Sequence, residues 1–348
     1  MDDLEIAPKR KLASIQEISS LTPLGKKPVE ELAIVLGWKV IVPIRQFKEG
    51  EKIIFFEIDS LLPAQKNWTN HIKHKNLKIK TIEKYNQISQ GFIMKLDTLL
   101  KIEYFKDTNI YELPIGFNLT EILGIKKYDD DAEQLEIGNK KLKNYPKHLI
   151  EKSDEIRLQS RLNYLEEFRG KEFYSSLKYD GTSVTYLIEP ETNNFLICSR
   201  NQVQTEDSVN IYSKIAEKYE ILKKLKKFDG KFAIQGEIYG PKIQNNPLQV
   251  KELMFVVFNI KNIRDDYYLG FDELVKTCKD LGLPMVKVVE EGIFNYNSVE
   301  KLIEKSKGYY PGTNNFREGL VYRLKNDWNK NKRYSFKVIN DDYLINKK

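Results

Sequence analysis

Short apolar runs broken by polar turns fill the first third of the chain. Val40-Ile41-Val42 and Ile53-Ile54-Phe55-Phe56 read as buried strands, and Lys48-Glu49-Gly50-Glu51 between them reads as a turn. Leu77–Ile82 and Gly91–Leu96 add two more strands. Short strands with polar turns over residues 10–127 predict a small β-barrel. From Tyr128-Asp129-Asp130-Asp131 to Tyr145-Pro146 the chain is polar and irregular, which predicts a linker over residues 128–146.

Beyond the linker the pattern alternates. Phe173–Lys178, Val184–Ile188 and Phe195–Cys198 read as strands, with a turn at Glu191-Thr192-Asn193-Asn194. Ser208–Phe228 has helical periodicity with Ser208 as its N-cap. Phe232–Ile238 and Leu253–Ile260 are apolar strands, Phe271–Leu281 and Ser298–Ser306 are helices, and Glu318–Leu324 and Tyr334–Ile339 are strands. These elements predict an α+β chain with domains at 1–127 and 147–348, the second made of antiparallel sheets with flanking helices.

Composition narrows the setting. No apolar run approaches the roughly 20 residues of a membrane span, and Asp2, Asp3 and Glu5 make the N-terminus unlike a signal peptide. Two isolated cysteines, Cys198 and Cys278, build neither a disulfide framework nor a zinc knuckle, so a soluble, intracellular protein is expected. His71 and His74 have a helical metal-ligand spacing, but no further His or Cys lies near them, and they read as solvated. A formal net charge of +7 favours a polyanionic partner, although the run Lys223–Lys227 reads as a solvated helix face.

The candidate chemistry centres on Lys178-Tyr179-Asp180-Gly181 at the end of an apolar strand. Residues two apart on a strand share a face, so Lys178 and Asp180 are expected on one side. Gly181 lets the chain turn. A nucleophilic lysine must shed its proton and needs neighbours that lower its pKa. Alone, the string is weak evidence, and in most sequences it would be a surface Lys–Asp pair before a turn. Four further strings follow in order: Ser199-Arg200-Asn201, Gln235-Gly236-Glu237-Ile238, Met254–Ile260 and Arg317-Glu318-Gly319-Leu320-Val321, with Ser335-Phe336-Lys337-Val338 near the end.

This series resembles the nucleotidyltransferase motifs of ATP-dependent ligases and mRNA capping enzymes, along residues 150–340. Gly37-Trp38-Lys39-Val40, Phe47-Lys48-Glu49-Gly50, Phe56–Ser60, Ser89-Gln90-Gly91 and Leu119–Gly124 resemble an OB domain placed before such a domain. Asp154–Gln159 looks like the helix that precedes the first motif. Together they are similar to the RNA ligases with an N-terminal OB domain.

The resemblance implies attack by Lys178 on the α-phosphate of ATP, giving lysyl-AMP, then an AMP-capped 5′-end and sealing to a 3′-OH. The implied substrate is RNA or a nicked duplex with an RNA 3′-OH strand, with no membrane and no protein partner. Asp180, Glu237 and Glu318 would hold Mg²⁺ or Mn²⁺, hard cations that suit oxygen ligands, largely through water. Lys337 would meet the α-phosphate and Arg157 the γ-phosphate. Phe255 would stack on adenine, and Arg200 would serve either the ribose or the incoming 5′-phosphate. Relatives carry Lys-x-Lys in the last motif. This chain has Ser335 first, with Arg333 the nearby candidate to compensate. A GTP-dependent capping guanylyltransferase and a catalytically silent OB-containing binder are the competing readings. The first places its OB domain after the nucleotidyltransferase, and only eleven residues follow Lys337 here.

Overall fold

The computed structural model describes residues 10–64, 66–70, 72, 77–128, 144–204, 210–326 and 334–347. The chain divides into two units, Met1–Glu136 and Ile137–Lys348. The expected linker at 128–146 lies largely outside the described residues, as do His71, His74, Ser208 and Arg333.

The first unit is all strand and short 3-10 turns. Its strands are β1 (Ala13–Glu17), β2 (Ser20–Pro23), β3 (Glu30–Val35), β4 (Trp38–Pro43), β5 (Lys52–Phe56), β6 (Ser60–Leu61), β7 (Thr81–Lys84), β8 (Gln87–Gln90), β9 (Phe92–Lys95) and β10 (Lys126–Lys127). Two antiparallel sheets, β1-β5-β9 and β2-β3-β4, are joined by the pairs β7-β8 and β6-β10. β5 explains its own apolar run. Ile53 and Phe55 enter one core with Trp38, while Ile54 and Phe56 enter another with Trp68. Both faces are buried, so the strand does not alternate with polar residues. The β7-β8 hairpin turns at Tyr85 and Asn86, both with positive φ (56° and 55°), the geometry of a two-residue hairpin turn. The strand expected from Leu77 begins four residues later.

The second unit carries two antiparallel sheets. Their strands are β11 (Glu172–Leu177), β12 (Thr182–Ile188), β13 (Phe195–Cys198), β14 (Phe232–Tyr239), β15 (Met254–Asn262), β16 (Tyr267–Tyr268), β17 (Val288–Ile293), β18 (Gly319–Leu324) and β19 (Ser335–Ile339). The helices are α1 (Tyr164–Phe168), α2 (Ile211–Lys218), α3 (Ile221–Lys227), α4 (Phe271–Leu281), α5 (Val299–Ser306) and α6 (Asp341–Asn346). A four-stranded sheet runs β17-β11-β18-β19, and a five-stranded sheet runs β13-β12-β14-β15-β16. Helices α2, α3 and α4 cover one face of the five-stranded sheet. Helices α1 and α5 cover one face of the other.

The single helix expected over 208–228 is two. Glu220 takes a left-handed conformation (φ 50°) between α2 and α3. On an unbroken helix Ile215 and Ile221 would point about 120° apart. The break brings both into one core with Ile234 and Phe255. Asn210 caps α2, its side chain accepting from the backbone N–H groups of Tyr212 and Ser213.

Candidate active site

Strand β11 stops at Leu177, and the backbone N–H of Lys178 donates to the carbonyl of Gly319 at 3.0 Å. Lys178 therefore emerges at the end of the sheet, beside the start of β18. Its Nζ lies 2.7 Å from Oε2 of Glu318. Gly181 lies against β14: a Cβ there would sit 2.2 Å from the carbonyl oxygen of Ile238 and 2.9 Å from Cγ of Glu237. Only glycine allows that approach, and it carries Glu237 to the same end of the two sheets.

One buried hydroxyl fixes this frame. Tyr310, 1% exposed, donates from its Oη to the carbonyl of Lys178 at 2.8 Å. The same oxygen accepts from the backbone N–H of Asp180 at 3.1 Å and of Glu318 at 3.2 Å. Asp180 is itself buried, and its Oδ2 accepts from the hydroxyl of Tyr343 at 2.5 Å.

Lys337 and Arg157 arrive side by side. Asp154–Gln159 is not the expected helix. Residues 151–156 are irregular, Arg157 is extended, and only Leu158–Ser160 make a 3-10 turn. The reason is pairing with the sheet: Arg157 forms a parallel bridge with Lys337, whose N–H donates to the carbonyl of Ile156 at 2.8 Å. Asp154 lies 3.0 Å from Arg200, which places Arg200 beside the Arg157 segment.

Ser335, where relatives carry lysine, sits opposite Arg323 in the β18–β19 register. Its hydroxyl donates to Glu155, and Glu155 also pairs with Arg323 at 2.8 Å. Both members of that ion pair are buried, and Arg323 also donates to Ser176 at 3.3 Å. Arg333 lies outside the described residues.

Phe255 is not available to a base. It is fully buried, with its ring edge-on to Tyr186 at 5.8 Å and to Tyr219 at 5.6 Å. It pairs with Ile238, whereas Val256 pairs with Glu237, so Phe255 and Glu237 point to opposite faces. Phe258 is the extra residue where the register shifts between Gln235 and Gly236. It is half-buried and packs against the cluster of Tyr239, Val256 and Val286, which Tyr179 also joins.

The electrostatics run against a free amine at rest. Burial works to lower the pKa of Lys178, but Glu318, Glu237 and Asp180 outweigh it and leave it raised. The neighbours expected to lower it therefore do the reverse. Glu237 is pushed up to about 8 by burial, with Glu318 and Asp180 adding to the effect. Asp180 is also raised, by burial and then by Glu318. Lys337 is lowered to about 8 by burial, then by Lys178 and Arg157. No three acidic, His or Cys side chains among the described residues close into a direct metal cage. The mutual repulsion of three carboxylates does fit a hydrated divalent cation, which keeps several waters of its own.

Tyr310, Tyr343, Glu155, Arg323 and Phe258 are absent from the site as the motifs draw it. Tyr310 had one faint signal, the aromatic turn Tyr309-Tyr310-Pro311-Gly312 just before Glu318.

Comparison with known proteins gives the same outline. A family model described as RNA ligase matches residues 171–339, and an OB-fold domain model matches residues 12–96. No curated protein matches the chain. The Naegleria gruberi RNA ligase with PPi is 27% identical, with a TM-score of 0.77, covering 96% of this chain and 98% of that one. A lysine-to-alanine variant of the Naegleria gruberi enzyme with ATP and Mn is 26% identical, with a TM-score of 0.78 and the same coverage. A glutamate-to-alanine variant with AMP and Mn matches equally, at 26% identity and a TM-score of 0.78 over 96% of this chain and 98% of that one. Among the described residues no helix is long and apolar enough to cross a membrane.

Proposed function

We propose that this chain is an ATP-dependent RNA ligase that carries AMP on Lys178 and seals 3′-OH/5′-phosphate ends. The observation that carries this reading is the meeting of Lys178 and Asp180, from the β11–β12 connection, with Glu237, Glu318 and Lys337 from three other segments. The neighbours solved with ATP, AMP, PPi and Mn support the choice of nucleotide and of a divalent cation.

In the first step Nζ of Lys178, having lost its proton, forms a bond to the α-phosphorus of ATP. The α–β bridging P–O bond breaks and pyrophosphate leaves. Lys337 stabilises charge on the α-phosphate, and Arg157 orients the departing pyrophosphate through its planar guanidinium. Asp180, Glu237 and Glu318 would hold the cation, largely through its waters. When bound it draws off carboxylate charge, lowers the lysine pKa and offsets phosphate charge. Release of Glu318 from Lys178 is the change this chain's own residues must make. AMP then passes to the 5′-phosphate of the nucleic acid, and the 3′-OH displaces it to close the bond.

Phe258 takes over the adenine-stacking role from Phe255, since it lies on the face of Glu237. Arg200, tied to Asp154, is placed for the ribose or the incoming 5′-phosphate. The first unit engages nucleic acid. The second, residues 137–348, has its own cores and retains lysyl-AMP formation when separated. The preferred substrate is a nick in a duplex with ribose on the 3′-OH side, where A-form shape aligns the ends for in-line attack. Two buried free thiols, each pushed up to about 12 by burial, favour an intracellular, reducing setting.

The test is incubation with α-labelled ATP or GTP and Mg²⁺ or Mn²⁺, then nicked duplexes differing only in junction sugar. Covalent label from ATP and preferential sealing of RNA 3′-OH nicks are expected. Label from GTP alone would make the chain a guanylyltransferase, and equal sealing of all-DNA nicks would remove the RNA preference.

A further inference from the structure

Helix α6 is knitted to the site it follows. Asn340, fully buried, donates from its backbone N–H to the carbonyl of Glu318 at 3.0 Å and from Nδ2 to the carbonyl of Arg317 at 2.9 Å. Its Oδ1 accepts from the N–H of Asp342 at 3.0 Å and so starts the helix. Within the first turn Tyr343 donates to Oδ2 of Asp180 at 2.5 Å, and Lys347 brings Nζ to 3.6 Å from Oδ1. Both carboxylate oxygens of a 7%-exposed aspartate are thus approached from one short helix and the residue that ends it. A core tyrosine needs any acceptor for its hydroxyl. This one takes the carboxylate two residues from Lys178, and the Lys347 ammonium just past the helix stands at ion-pair distance from the other oxygen.

We propose that Tyr343, supported by Lys347, is a positioning residue that fixes the Asp180 carboxylate in the orientation needed for AMP transfer to Lys178. The terminal torsion of an aspartate is broad, and only its partners set it. Without the hydroxyl, the carboxylate turns towards the nearest cation, Lys178 or Lys347. A misplaced group near the reacting atoms costs rate more than binding. The inference rests on Lys178 being the AMP acceptor.

The experiment uses the full chain and three readouts: single-turnover lysyl-AMP formation at saturating ATP, ATP affinity by calorimetry, and Tm. Tyr343→Phe should slow AMP transfer about tenfold, the loss of one hydrogen bond to a charged group, with ATP affinity and Tm nearly unchanged. Lys347→Ala should slow it about twofold, as expected for a partly exposed ion pair. In an Asp180→Ala background neither change should slow it further, because a residue acting through Asp180 has nothing left to position. Equal slowing with or without Asp180, or weaker ATP binding at an unchanged rate, would overturn the proposal. Should Tyr343→Phe unfold, Lys347→Ala carries the same cycle on an exposed side chain. A wild-type rate for Asp180→Ala would remove Asp180 from the site and this proposal with it. A silent Tyr343→Phe beside a slow Asp180→Ala would overturn the positioning role alone.

Discussion

The four-stranded sheet gathers Lys178, Glu318 and Lys337 from three neighbouring strands, whereas the five-stranded sheet offers Glu237 and the ring of Phe258. On the first sheet the charged groups alternate in sign and are pinned through the main chain, by Tyr310 and by the Arg157–Lys337 bridge. On the second, the single acidic candidate Glu237 lies at the close approach to Gly181, beside an apolar cluster that holds Phe258. The contrast teaches a division of labour. On the function proposed above, the cations that would handle phosphate sit on one sheet, while the surface that would receive a base sits on the other. Changes in the first sheet and at Glu237 should act on rate, and changes at Phe258 on nucleotide affinity.

The largest expected effect tests the first sheet. Lys178→Ala should abolish covalent label from ATP, because Lys178 is the proposed acceptor and Lys337 is assigned to charge on the α-phosphate. Lys178→Arg should fail equally, since a guanidinium stays protonated. Label on either variant at the wild-type rate would remove the nucleophile from this sheet.

Next come the carboxylates, one from each sheet. Glu318→Ala and Glu237→Ala should each slow lysyl-AMP formation by about 10²–10³, the scale of losing one electrostatic contact to a developing charge. Tm should hold or rise for Glu237→Ala, which relieves repulsion within the acidic cluster, and should fall for Glu318→Ala, which leaves Lys178 without its 2.7 Å ion pair. A near-normal rate for Glu237→Ala would leave the second sheet with binding alone, a sharper division than drawn here.

The paired phenylalanines divide the two faces of β15. Phe258→Ala should weaken ATP binding about tenfold with little change in Tm, in keeping with an aromatic contact of about 1 kcal/mol. Phe255→Ala should cost about 3–5 kcal/mol of stability as a core truncation. If Phe255→Ala instead weakens ATP binding in a still-folded protein, the base sits on the other face.

The smallest effect is a proton. Lys337 stands at about 8 in the folded protein against 10.5 for a free side chain. The unfolded chain therefore binds more protons between these values, and the empty protein gains stability as pH rises through that window. At about pH 9 Lys337 is mostly neutral, and arriving phosphate raises its pKa. ATP binding should then take up a fraction of a proton, read from binding heats in buffers of different ionisation enthalpy. Lys337→Met should abolish that uptake. Unchanged uptake would assign the proton elsewhere.

Much of this architecture is legible in the sequence, for local reasons. Ile53–Phe56 and Met254–Ile260 announce strands through unbroken apolar runs, and the acidic and lysine candidates stand beside glycines or at strand ends. What escapes is long-range or irregular. Tyr310 meets Asp180 across 130 residues and Tyr343 meets it across 163, and a tyrosine among apolar neighbours reads as core. The pairing of Val256 with Glu237 has no sequence mark, so the motif resemblance selects Phe255, whereas the register puts Phe258 on the face of Glu237. The Asp154–Gln159 segment has the composition of a helix, but the edge of β19 offers its backbone a better partner. Ser335 looks like a loss until Arg323 and Glu155 are seen around it.

Tyr310 touches its three neighbours only through their main chain, never through the side chains that react. The protein can therefore be disarmed without being deformed. Replacing Lys178, Asp180 or Glu318 leaves every one of those three hydrogen bonds available. A chain disarmed in this way keeps the mould of the working one, which makes it the right trap for holding ATP or a nucleic-acid end in its natural pose.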